Sequence, residues 1–170
     1  MMIEILRVVT LVAATVTTGL LAGLFYAFAV SVMPALRTAG DQTFIDAMQR
    51  INVAIINPWF FSSFLGAPVL TVIAAVLHVP VSGRAVLPWI VAAAVLNGVG
   101  FVLTVGLNVP LNNALAAAGP PDQIADLTQV RNAFESAWGR WNTARAVAHT
   151  AALGCLIWAL VIYGRTRAGA

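Results

Sequence analysis

Four long stretches of this chain contain no Asp, Glu, Lys or Arg: residues 8–36, 51–83, 85–121 and 146–164. A helix crosses the hydrocarbon core of a bilayer in about 20 residues, so each stretch has room for one crossing and none has comfortable room for two. Of the 170 residues, 61% are hydrophobic and 9% charged, against roughly 25% charged in an ordinary soluble domain. A water-soluble fold has too little polar surface to cover such a chain. The expectation is an all-α integral membrane four-helix bundle with short amphipathic helices in the two long extracytoplasmic connections, a single domain over residues 1–170, with spans at about 5–33, 59–79, 86–109 and 141–163. Arg7 followed by an apolar run has the look of a cleaved leader, but the uncharged stretch is about twice as long as a leader's apolar region, so the first span reads as a retained anchor.

The positive balance comes from nine Arg and no Lys against six acidic residues. Arginines scattered around span ends are the ordinary flanks of membrane helices, so no nucleic acid is expected as a partner; the lipid bilayer is. Both termini and the short link between the second and third spans carry Arg7, Arg84, Arg165 and Arg167 against Glu4 alone, whereas in the two long connections bases and acids balance. The positive-inside rule then places both termini on the cytoplasmic face of a plasma membrane and the long connections outside. Cys155 is the only cysteine, cannot form an intramolecular disulfide, and reads as a packing residue of the last span.

The connections carry helical signals of their own. Asp41 is placed to cap a short helix whose Phe44, Met48, Ile51 and Ile55 form an apolar stripe, as expected of an amphipathic helix lying on the bilayer or capping the bundle. Pro34 is expected to end or kink the first span, and Pro68 to bend the second. Gly19 and Gly23, four apart, allow another helix to approach closely, within the chain or in a homo-oligomer. In the third span Asn97 is either a hydrogen bonder between helices or part of a polar cavity.

The stretch from Arg131 to His149 combines charge with apolar periodicity. Ile124, Leu127, Arg131, Phe134, Trp138, Trp141, Arg145 and either Ala148 or His149 follow steps of three and four, the spacing of one helical face. Asn142, Arg145 and His149 share a side of that helix. Arg145 and His149 fall one and two turns into the last span, where a cation is costly unless it is paired or faces water. The ordinary readings are that Arg145 snorkels to the interface and that His149 bonds a neighbouring helix. The alternative rests on convergence, because Asn52, Asn57, Asn108, Asn112 and Asn113 are all expected at the same end. Amides, tryptophans, an arginine and a histidine around one mouth make a pocket for a flat, partly polar molecule. His78 belongs at the opposite end, so no His/Cys metal cluster is expected, nor is there a nucleotide fingerprint or a nucleophile motif.

At GLFYAFAVSVMPAL, MQRINVAIINPWF, NVPLNNAL and WGRWNTARAVAH the chain resembles the anthrone-oxygenase-like family of small membrane proteins, and the likeness runs through nearly the whole chain. Family members of known activity oxidise anthrones, which are fused phenolic rings, to anthraquinones with molecular oxygen and no evident cofactor. The resemblance implies a catalytic pair, His149 as base at the acidic central carbon and Arg145 stabilising the developing oxyanion with Asn142 or Asn108. Trp138 and Trp141 would stack on the rings, and Asn112 and Asn57 would complete the binding site; no cofactor and no metal are implied. The rival reading is a non-catalytic membrane module that binds a lipid, a quinone or a protein partner at the same polar mouth. A transporter is the third reading, limited by the small path that four spans without an inverted repeat provide.

Overall fold

The computed structural model describes residues 1–79 and 85–168, and in them every regular element is helical. Five helices organise the chain: α1 (Met2–Arg37), α2 (Asp41–Ala54), α3 (Pro58–His78), α4 (Leu87–Ala117) and α5 (Leu127–Ala168). Four of them, α1, α3, α4 and α5, are long and apolar enough to cross a membrane. They pack around a ring in the order α1, α3, α4, α5 and back to α1, so consecutive neighbours run antiparallel. The expected all-α, four-span membrane bundle is the observed one. Arg84, which entered the charge argument, lies outside the described residues.

The spans are longer than the hydropathy pattern suggests. Neither Pro34 nor Pro110 ends its helix. Each follows a five-residue π-helical segment, Phe28–Val32 in α1 and Thr104–Asn108 in α4. A proline clashes with the carbonyl four residues back. Here those carbonyls, of Val30 and Gly106, lie inside the π segments, where the wider turn makes room for the ring. Pro68 stands inside an uninterrupted α3. Asn57 caps α3, its side-chain oxygen accepting from the Phe60 amide at 3.0 Å.

The helix after the first span forms as expected, but Asp41 does not cap it. Gly40 occupies the cap position, and the Asp41 carboxylate turns to α5, accepting from the Thr128 hydroxyl at 2.6 Å and from Arg131 at 2.9 Å. Arg131 also donates to the carbonyls of Ala39 and Arg37 and lies 4.6 Å from the Phe44 ring centre. Phe44, Ile45 and Met48 then pack on Leu115, Phe134 and Trp138, which makes α2 a cap over the end of the bundle that carries both long connections. Gln49 fastens the far side, donating to the Leu115 and Gly119 carbonyls.

Beneath the cap the interior is layered. An apolar layer around Leu21, Phe25, Phe64, Ala67 and Ala146 lies nearest it, and another around Leu11, Ala74, Ile90, Ala152 and Leu156 lies toward the termini. Between the two, Thr18, Thr71, Asn97 and His149, one residue from each span, are all buried. Gly19 lies within van der Waals reach of Leu153, whereas Gly23 has no neighbour at that distance.

Candidate functional site

A cavity of about 330 Å³ opens at the capped end of the bundle, and all five helices contribute to its wall. That is near the small end of the roughly 300–1,000 Å³ usual for small-molecule sites. Its exposed lining residues are Val53 of α2, Ile56 of the turn before α3, Phe61 of α3 and Val109 of α4. Inside, the wall is aromatic: Phe60 stacks on Phe64 at 5.2 Å, and Phe64 on Phe101 of α4 at 5.0 Å.

Five of the eight residues singled out in the sequence line this cavity: Asn108, Asn112, Trp138, Asn142 and Arg145. The Trp138 indole donates to the Asn112 side-chain oxygen at 2.8 Å, and Asn108 donates to the Trp138 carbonyl at 3.3 Å. Asn142 donates to the Phe25 carbonyl and accepts from Arg145, both at 3.0 Å. The Arg145 guanidinium is 4% exposed, with its carbon 4.3 Å from the Phe25 ring centre and 5.4 Å from that of Trp138. Its second polar partner is the Thr104 hydroxyl at 3.4 Å. No carboxylate among the described residues pairs with it.

The other three stand elsewhere. Asn57 is occupied in capping α3 and bonding the Ala54 carbonyl. Trp141 is half-buried and absent from the wall; the inward face of α5 steps through Phe134, Trp138, Asn142, Arg145 and His149, which turns position 141 aside. His149 is 1% exposed and lies behind the wall, its ring 5.4 Å from that of Phe25. Its Nδ1 is 2.9 Å from Asn97 Oδ1, and the Asn97 amide donates to Thr18 at 3.0 Å and to Thr71 at 3.1 Å. The third-span asparagine is therefore the hydrogen bonder between helices, one of the two roles open to it.

Four side-chain atoms in this region are buried with no hydrogen-bond partner: Asn52 Nδ2, Asn108 Oδ1, Arg145 Nε and His149 Nε2. Each such atom costs about 1–3 kcal/mol. The first three belong to residues on the cavity wall, so a ligand there would meet two donors and one acceptor. Among the described residues no three His, Cys, Asp or Glu side chains gather as a metal site would require.

Phe25, Asn52, Thr18 and Thr71 were not singled out as site residues by sequence reasoning. Asn52 carried a signal, since it belongs to the amide-rich end. Thr18 and Thr71 had none, because threonine is ordinary in a membrane helix and only the packing of α1 and α3 on Asn97 gives these two a role.

Fold and site together define a small four-span membrane protein with an aromatic, cation-bearing cavity at one end of its bundle. The anthrone oxygenase family model matches residues 59–155, more than half of the chain, and the chain belongs to that family. No curated protein and no solved structure matches it significantly. The matched stretch holds Asn97, Gly100, Thr104, Asn108, Asn142, Arg145 and His149.

Proposed function

We propose that the protein oxidises an anthrone-like polycyclic phenol to the corresponding quinone with molecular oxygen, in the cavity beneath α2. The observation that carries this reading is Arg145, a buried guanidinium that faces the cavity with an unpartnered Nε and no carboxylate beside it. A cation held this way at membrane depth is compensated best by a ligand that is, or becomes, an anion. An anthrone loses a proton from its central carbon to give an anion whose charge rests on oxygen. Arg145 Nε and Asn52 Nδ2 donate to that oxygen, Asn108 Oδ1 accepts from a phenolic hydroxyl, and Trp138 and Phe64 flank the rings.

His149 Nε2 is the proton acceptor in this scheme, and Phe25 has to turn aside for a ligand to reach it. The carbanion passes one electron to dioxygen, the radical pair combines to a peroxide anion, and the proton held on His149 returns to it to give the hydroperoxide. Loss of water then leaves the quinone carbonyl, so one anthrone and one dioxygen yield one quinone and one water. The exposed apolar lining of Val53, Ile56, Phe61 and Val109 suits a substrate dissolved in the bilayer. With Arg7, Arg165 and Arg167 at the other end, the cavity belongs on the side away from the cytoplasm.

Membranes containing the protein should take up oxygen and form quinone when given an anthrone, beyond membranes lacking it. Arg145→Gln should lower kcat/KM by about 100–1,000-fold, the usual loss of one oxyanion donor. His149→Ala should lower it by about 100-fold or more, as for a lost general base. Wild-type membranes no faster than the control would sink the reading. The position of His149 behind Phe25 favours a second one, in which a quinone or phenolate binds without turnover. Trp138 fluorescence quenched by the ligand, with no oxygen uptake, would be its signature.

A further inference from the structure

We infer that Asn97 is a positioning residue that holds His149 with its proton on Nδ1 and leaves Nε2 as a bare lone pair. The base role this prepares rests on the reading above; the tautomer itself does not. The order of donors and acceptors through the buried layer leads to this assignment. The Ala67 carbonyl can only accept, so the Thr71 hydroxyl, 2.5 Å away, donates to it. Thr71 Oγ1 therefore receives the hydrogen of its bond to Asn97, which sets the amide nitrogen toward Thr71 and the amide oxygen toward His149. Thr18 takes the second amide hydrogen from α1, its hydroxyl following the orientation that Thr71 imposes. An amide oxygen cannot donate, so the hydrogen between it and His149 is carried by Nδ1.

The opposite edge of the ring shows that this is more than a tie between helices. A tie would satisfy both ring nitrogens, yet Nε2 is buried without a partner. It lies against Gly100, one turn beyond Asn97 on α4, where any methyl group would overlap the imidazole. Phe25 covers the ring face. The segment from Asn97 to Gly100 thus supplies an acceptor for one nitrogen and clearance for the other, and no donor among the described residues bonds Nε2.

Nitrogen-15 NMR of the ring-labelled protein in nanodiscs, without ligand, reads the tautomer directly. There are two histidines, and the signals that vanish in His149→Gln identify His149. The expected spectrum at neutral pH shows protonated Nδ1 and unprotonated Nε2. Asn97→Leu should move the proton largely to Nε2, the tautomer free imidazole prefers, and should lower anthrone-dependent kcat about 100-fold with KM within about twofold, since the cavity wall is untouched. Thr71→Val, nearly isosteric, frees the amide to turn over and should give a mixture of the two tautomers even if Asn97→Leu does not fold. A wild-type proton on Nε2, or a tautomer indifferent to both variants, would overturn the assignment. A wild type with the expected tautomer but no anthrone turnover would instead retain the positioning role and remove the proposed reaction.

Discussion

Gly100 does for His149 what no other residue type can, because any side chain there enters the space of the imidazole edge. Gly100→Ala should destabilise the protein by about 1–3 kcal/mol, the usual cost of overfilling a packed interior, and should displace the His149 ring from Asn97. Thermal unfolding in detergent, followed by helical circular dichroism, measures the first effect; an unchanged midpoint would mean that the ring swings aside freely. Gly98 makes the control, since a methyl group there meets nothing within 4 Å. At this scale the sequence was legible where a polar residue stood alone in an apolar run. Asn97 stood out for that reason, Asn142 and Arg145 by sharing one side of a helix, and Asn108 by the clustering of amides; all four are buried in the bundle. Trp141 was assigned to the wrong side by a single step, because spacings of three and four both suit a helix and only a neighbour decides between them. Asn57 precedes Pro58 in a pattern that already reads as a helix cap, a signal outweighed by the clustering of amides.

The two π segments explain most of what periodicity could not supply for the helices. A segment with one extra residue per turn shifts the phase of everything after it, so apolar positions on either side no longer share one register. In α4 the shift falls on Thr104–Asn108, and both end residues of that segment line the cavity. If the ring of Pro110 keeps the segment wide, Pro110→Ala should let it tighten toward an ordinary α-helix and rotate Asn108 away from Trp138. The expected result is an unfolding temperature equal to or above that of the wild type, together with at least a tenfold loss of ligand affinity, about 1.4 kcal/mol. Quenching of Trp138 by a titrated anthrone reads the affinity. Undiminished binding would show that the π segment holds its form without the proline. Pro34 and Pro110 were visible in the sequence; that the helix continues past each of them was not, because the accommodation depends on the wider turn just before.

For the whole molecule, the number of crossings was legible because membrane energetics leave few alternatives for long uncharged stretches. The order of the helices around the ring and the seating of α2 depend on contacts made across the bundle. The main one is the clamp of Asp41 and Arg131, residues 90 apart that join the start of α2 to the first turns of α5. Asp41 lies outside the spans, and its carboxyl is held below the ordinary aspartate value of 3.8 by the Thr128 hydroxyl first and the Arg131 guanidinium second. A lowered folded-state value means that the ionised carboxylate stabilises the fold at any pH above that of the unfolded chain. The contribution is lost as pH falls below about 3.8 and through the folded value. Asp41→Asn removes the charge at every pH, so wild type and variant should differ in unfolding temperature at pH 7 and converge as the pH is lowered past 3.8. Because α2 roofs the cavity, the variant should also release a bound quinone faster at neutral pH, in stopped-flow measurements of Trp138 fluorescence. A gap in unfolding temperature that does not narrow at all as the pH falls below 3.8 would show that the clamp acts through its hydrogen-bond geometry, with no share from the carboxylate's charge.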